Sequence, residues 1–432
     1  MTKNVLYFSL SPVFSSLLKF VALALLSATL TIFPQDSAFA AFTNYSSVML
    51  GDRAGGMGGA FTSLTGDTAA SSYYNPATLA RLNGSSLSAS VNLFNKYDIS
   101  YGNVPSLDDA IFRINKGSIL SVPGASGIFS NFKNFSAGLS ILTPDFQMFG
   151  GDVYAKGNDS TFLRVNDQSL WVGGSLALNI AKNKSIGVSA YYTSQSYSRS
   201  LLNRYDTGTE IIVQNEEKTF STNSIIYILG YYQEISQKWR LGLSYRFKSI
   251  PISGTGSYLH SEIGTVSGAQ PVIHKDKINF ETRVPDRLAF GVSYVREHDL
   301  TVSADLSYFG SNNYNNSEVY SDHIITRDVL NASIGVEKYL LPWLPLRLGL
   351  FTDFSSTPSI PSVSTRRFQD HIDHYGLSAN IGIHTTEHTT VTLGGYSAGG
   401  VGSASELIGP SYQKIKKAER VFSFLVGSSY SF

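Results

Sequence analysis

Leu241-Gly242-Leu243-Ser244-Tyr245-Arg246-Phe247-Lys248 places large apolar side chains at every second position, with small or charged residues between them. In an extended chain, successive side chains point to opposite faces, so this segment reads as a strand apolar on one side and polar on the other. The same period recurs downstream. Leu300, Val302, Ala304, Leu306 and Tyr308 alternate with Thr301, Ser303, Asp305 and Ser307, and Leu346, Leu348 and Leu350 alternate with Arg347 and Gly349. By this parity Arg246, Lys248, Asp305, Glu337, Arg347 and Asp353 share the polar side.

A soluble sandwich also alternates, so the connections carry more weight. Short links stand at Ser130–Asn134, Ala181–Lys184, Ile235–Lys238, Arg296–Asp299, Leu341–Pro345 and Thr385–His388. Between them lie long polar stretches, Lys96–Ser118, Thr143–Gln168, Arg199–Ser221, Tyr258–His274, Gly310–Arg327, Ser355–Asp373 and Ala398–Arg420. Strict short-long alternation predicts an all-β chain, a transmembrane antiparallel β-barrel with tight turns at one end and long loops at the other. Counting Lys275–Val284 and Arg287–Val295 separately gives fifteen strands and breaks the alternation. Read as one strand interrupted at Pro285, which lacks a ladder donor, they leave about fourteen. Phe422, Phe424, Val426, Tyr430 and Phe432 share one face of the last strand, which must pair with the first, because an open edge in lipid strands backbone polar groups. Tyr430 and Phe432 are expected to act as the assembly signal read by the barrel assembly machinery.

Composition agrees with a barrel. Charged residues make up 15% of the 432-residue chain and the net charge is +1, which offers no electrostatic footprint for nucleic acid. Cysteine is absent, which excludes disulfides and thiolate chemistry. Lys3 and Lys19 precede an apolar run from Phe20 to Phe33, and Ala38-Phe39-Ala40 supplies a small-x-small cleavage pattern, so residues 1–40 read as a signal peptide. Histidines are scattered. Their closest grouping, His371-Ile372-Asp373-His374, lacks a ligand set, so no metal and no cofactor is expected.

Residues 41–84 do not alternate. They contain Gly51 to Phe61 with five glycines, then Gly66-Asp67, then Asn75-Pro76-Ala77. Such a segment turns sharply and packs close to a wall. A phosphate loop would need Gly-Lys-Ser/Thr after a strand, and neither is present. Residues 41–84 are therefore expected to form an N-terminal plug inside a barrel of residues 85–432.

On these residues the chain resembles the outer-membrane long-chain fatty acid transporters (FadL-like), a family that includes aromatic hydrocarbon channels. Arg53-Ala54, Gly58 to Phe61, Gly66-Asp67 and Asn75-Pro76-Ala77 look like its opening motifs, with Gly58, Gly59, Asp67, Asn75, Pro76 and Ala77 as the plug signature. Ser175–Tyr192, Trp239–Tyr258, Pro345–Pro361 and His371–Ser397 resemble its strand pairs. The resemblance implies a plugged fourteen-stranded barrel in the outer membrane and a hydrophobic small-molecule ligand, long-chain fatty acids first. Capture by outer loops would be followed by a sideways exit into outer-membrane lipid. An outer-membrane scaffold for a secretion system is the alternative, and no catalytic set is expected. Phe146, Met148 and Phe149, with Arg199, Arg204 and Arg246 for a carboxylate, are the expected ligand contacts. Gly138, just before Pro144, is a candidate kink in the wall.

Overall fold

A computed structural model describes residues 43–46, 48–102, 112–118, 122–133, 135–316, 322–364 and 367–432. The leader expected over residues 1–40 lies outside the described residues. Fourteen strands close into one antiparallel barrel: β1 (Ser85–Gly102), β2 (Phe112–Ser118 and Val122–Asn131), β3 (Ser136–Leu142 and Phe146–Lys156), β4 (Asp159–Ala181), β5 (Lys184–Asp206), β6 (Ile211–Glu234), β7 (Trp239–Arg246 and Ile250–Gly264), β8 (Ile273–Asn279 and Arg287–Arg296), β9 (Leu300–Phe309), β10 (Val329–Leu341), β11 (Leu344–Asp353), β12 (His374–His384), β13 (Thr389–Ile408) and β14 (Ser411–Ser431). Each pairs with its sequence neighbours, and β14 closes on β1 from Ser86↔Ser431 to Gly102↔Lys416. Both barrel ends meet at the short-turn rim, where the Phe432 N–H donates to the Ser85 carbonyl.

The expected alternation sorts polar residues inward. On β9, Thr301, Ser303 and Asp305 are buried while Leu306 is 50% exposed. Leu139, Leu176, Leu330, Leu348, Leu350 and Leu377 face outward in the same way. An apolar belt of this extent is a liability in water and matches hydrocarbon. At the short-turn rim Phe132 stacks on Phe135 at 4.8 Å, and Trp239 packs edge-on to Tyr294 at 5.3 Å. Rings at that level suit a membrane–water boundary.

Two expectations need correction. The long polar stretches are mostly not loops, because the strands run on through them. β4 and β5 have 23 residues each and β6 has 24, and β5 and β6 stay paired from Lys184↔Gln233 to Asp206↔Ile211. Twenty-three residues at ~3.3 Å span ~76 Å, far more than a ~30 Å hydrocarbon layer even when tilted. The outer halves therefore stand in water with both faces partly polar, and a chain wet on both sides does not advertise its pairing. The second correction is Lys248, which is exposed and reaches the Ser311 carbonyl at 3.1 Å. β7 breaks at Phe247–Ser249, and the parity restarts there.

The break in β8 falls at Phe280–Asp286, around Pro285 as the count of fourteen requires. β7 and β8 bend together, bridged by Ser249 N–H to the Val284 carbonyl and Phe280 N–H to the Gly254 carbonyl.

Residues 43–46 and 48–82 sit inside the barrel, with α1 (Asp52–Gly56), α2 (Thr68–Tyr74) and a 3-10 turn (Pro76–Arg81). Three cross-strand glycine pairs make room for them: Gly187↔Gly230, Gly242↔Gly291 and Gly335↔Gly349. A β-carbon at Gly187 would stand 2.5 Å from Pro76, at Gly242 1.9 Å from the Thr62 carbonyl, and at Gly349 2.2 Å from the Gly58 nitrogen. Backbone thus meets backbone, which no larger residue allows.

Candidate ligand cavity and wall seam

Polar wall residues hold the plug in place. Asp305 accepts from the Phe61 and Thr62 N–H groups at 2.9 and 2.7 Å. Asn380 donates to the Asp52 carbonyl at 2.7 Å, and Ser185 donates to that of Ala77 at 2.8 Å. Glu337 receives Arg53 from the plug at 2.6 Å and Arg347 from β11 at 2.6 Å. Within the plug, Asp67 caps α2 by accepting from Ala70 N–H at 3.1 Å, and burial beside Asp52 pushes its carboxyl pKa well up. Asn75 caps the 3-10 turn and donates to the Thr62 and Tyr231 carbonyls at 2.7 and 2.9 Å, while Pro76 and Ala77 lie against Gly187. Gly58 and Gly59 take positive φ angles of 66° and 76°, a region that disfavours side chains.

The wall of β3 is interrupted above this seat. Leu142, Thr143, Pro144 and Asp145 are buried in succession, so the alternation stops and the strand steps inward. Below the step, β3 pairs with β2 from Asn131↔Ser136 to Ala125↔Leu142, and the Thr143 N–H reaches the Gly124 carbonyl. Above it, Phe146–Lys156 pairs with β4, while Phe112–Ser118 of β2 pairs with β1. Among the described residues no ladder joins those two upper segments, although they run side by side, so the join is an unladdered seam rather than an open gap. Gly138 is not the kink. It pairs regularly with Phe129 and faces Leu79 and Ser72 of the plug, four residues before the last ladder pair at Leu142.

A cavity of about 120 Å³ lies inside the seam. Val122 and Phe146, each the first residue after a strand break, line it, and Phe149, Val165, Tyr197 and Tyr396 supply further apolar wall. Asn92, Asn95, Asp167, Asp353, Gln369 and His374 supply polar wall. Asn92 and Asn95 both face inward because β1 carries an irregularity between Asn92 and Phe94, which shifts the parity by one. Beyond the cavity, towards the hairpin tips, Ile99, Tyr101, Leu163, Leu201, Leu407 and Tyr412 pack together and fill the barrel. Tyr197, Phe220 and Phe280 stack in a row at 4.7 and 4.2 Å. Arg367, Asp370 and Glu419 also line the cavity, and Arg367 and the neighbouring Lys417 are both engaged. Lys417 binds Asp370 at 2.7 Å and Glu419 at 3.2 Å, and Arg367 stands 3.6 Å from Asp370 and 3.9 Å from Glu406. Burial alone would raise the Asp370 carboxyl pKa, but Lys417 and Arg367 outweigh it and hold the pKa below the usual value.

The expected ligand contacts divide. Phe146 and Phe149 line the cavity, whereas Met148 points outward and is 42% exposed. Arg199 is buried against Glu216 at 2.7 Å and Glu406 at 3.7 Å, and Arg204 lies on the outer face. Arg246 lines a separate void of about 30 Å³ with Asp145. Its guanidinium lies between Trp171 and Phe309, 5.7 Å from each ring, and donates to the Tyr73 hydroxyl at 3.4 Å and the Pro285 carbonyl at 3.3 Å. Tyr430 and Phe432 pack edge-on at 4.9 Å, exposed on the outward face of the short-turn rim. Sequence reading missed the asparagines of β1, hidden by the irregularity, and Gln369, contributed from beyond β11, and it weighed His374 only as a metal ligand. It also passed over the wall glycines, whose inward parity in six strands was a usable signal. Among the described residues no three His, Cys, Asp or Glu gather as for a metal.

The sequence matches no protein-family model and no curated protein. Solved structures do match in fold. A Pseudomonas aeruginosa FadL homologue superposes with a TM-score of 0.67 at 13% identity, covering 90% of this chain and all of its own. The P. putida toluene transporter TodX gives 0.64 at 15% identity, with 88% and 98% covered. The Ralstonia pickettii toluene transporter TbuX gives 0.60 at 15% identity, with 89% and 99% covered.

Proposed function

We propose, from a barrel with the fold of the FadL-type channels, that this protein admits small hydrophobic molecules through the outer membrane and releases them sideways. The observation that carries the reading is the unladdered seam between the upper segments of β2 and β3, which lies beside a cavity lined by Val122 and Phe146. The plug fills the lumen below, so a straight aqueous route is obstructed. Each Å² of apolar surface kept from water stabilises by about 25 cal/mol, so a greasy solute gains by passing from cavity to bilayer. The solved neighbours named as toluene transporters support this class of solute. Among hydrophobic solutes, the cavity volume supports a single ring or short chain over a whole long-chain fatty acid, since a cavity of ~150 Å³ takes up benzene. Residues 1–40 act as the cleaved leader, and Tyr430 and Phe432 as the handle of the barrel assembly machinery.

The test is uptake of labelled toluene and labelled oleate by a host lacking its own hydrophobic channels, with and without this protein. The reading expects faster uptake with the protein, larger for toluene. No gain for either solute, together with stable co-purification of a secreted protein, would replace the channel with a scaffold.

A further inference from the structure

Among the polar atoms that line the cavity, Asn92 Nδ2, Asn95 Nδ2, Asp167 Oδ2, Asp353 Oδ2, Gln369 Oε1 and His374 Nε2 are buried without a hydrogen-bond partner, and Asp370 Oδ1 has only the Arg367 guanidinium at 3.6 Å. A buried polar group left without a partner costs about 1–3 kcal/mol, so these atoms favour a solute that can hydrogen-bond to them over one that cannot. The second atom of several of these groups is already engaged, which fixes how each points. Asn92 Oδ1 accepts from the Ser423 hydroxyl at 3.1 Å, Asp167 Oδ1 accepts from Gln195 at 2.9 Å, and Asp353 Oδ1 accepts from the Tyr45 and Ser46 N–H groups at 2.9 and 3.0 Å. The free atoms are left for something in the cavity.

We propose that this cavity selects hydrophobic molecules bearing one uncharged hydrogen-bonding group, a phenol or short alcohol, over pure hydrocarbons and over carboxylates. The proposal rests on the channel reading above and names its solute. Asparagine donors and carboxylate and amide acceptors together suit a hydroxyl, which gives and takes one bond each. A hydrocarbon would leave these atoms unpaired, and sites built to hydrogen-bond a substrate hydroxyl reject analogues without it. A ligand carboxylate would face the free oxygens of Asp167 and Asp353. It would also have to compete for Lys417 and Arg367, which already meet two carboxylates each.

Phenol, toluene and benzoate are nearly equal in size and separate the three cases. Their binding to the full chain purified in detergent is to be measured by calorimetry at neutral pH. Phenol is expected to bind at least about tenfold tighter than toluene, with benzoate weakest, tenfold being the worth of a single net hydrogen bond. In the N95L variant the ratio of phenol to toluene affinity is expected to fall several-fold, while the conservative D167N variant keeps a ratio above one. Barrel assembly of each variant is checked by its heat-dependent shift on gels. Equal binding of phenol and toluene, with uptake intact, overturns the hydroxyl preference alone, and so does tightest binding of benzoate. Failure of all three to bind, with no uptake, removes the channel reading instead.

Discussion

Arg53 in the plug and Glu337 on β10 meet at 2.6 Å, 284 residues apart in the chain, and Arg347 joins the same carboxylate from β11. One buried acid therefore ties the plug to two adjacent wall strands. Glu337→Ala leaves two guanidinium groups without their carboxylate. Removing one partner of a buried ion pair costs about 3–5 kcal/mol. The variant is expected to melt earlier and to show raised ion conductance in planar bilayers, approaching that of a chain lacking residues 41–80. Unchanged conductance in both would mean the segment does not obstruct the lumen.

Gly242 presents its α-carbon to the Thr62 carbonyl, and a β-carbon there would lie 1.9 Å from that oxygen. Gly242→Ala must push the plug or the wall aside, at about 1–3 kcal/mol for an overpacked site. Urea unfolding is expected to show an earlier midpoint, with trypsin reaching Arg53 and Arg81 sooner. Gly157→Ala, at a hairpin tip with open space around it, serves as the contrast, although its positive φ of 60° adds its own small strain.

A sideways exit places Phe146 beside the bilayer and Ala177 behind an intact ladder facing the plug. The chain has no cysteine, so single substitutions report cleanly. A membrane-partitioned maleimide is expected to label the F146C variant many-fold faster than A177C, and a membrane-impermeant one to lose that preference. Equal rates from the lipid side would close the seam.

Closure of β14 on β1 runs to the last residues, with Leu87 opposite Tyr430 and the Phe432 N–H on Ser85. Removing residues 430–432 unpairs the rim where the two ends of the barrel join, and unpaired backbone in lipid costs several kcal/mol per group. Outer-membrane yield of folded barrel is expected to fall sharply, while Phe432→Trp retains most of it.

Alternation was legible because it is local. Whether residue 305 or 306 faces lipid depends only on which neighbour is apolar, and the chain states that at every step of β9. The interruption at Pro285 was legible too, because proline lacks the N–H that a ladder requires. The outer halves of β4, β5 and β6 were not, because strands wet on both faces carry no apolar code, and their pairing comes from the ladder itself.

The site divides along the same line. The plug's glycines, Asp67 and Asn75-Pro76-Ala77 announced a tight insert, and Phe146 and Phe149 stood out as apolar residues in a polar stretch. Nothing local unites Asn92 with Asn95, since a regular strand sends residues three apart to opposite faces. The irregularity at Asn92–Phe94 turns both inward, and barrel closure brings Gln369 and His374 across to meet them. A two-residue period determines which side of a wall each residue occupies. Only the closed barrel, where distant strands share one interior, decides which inward residues see the same space.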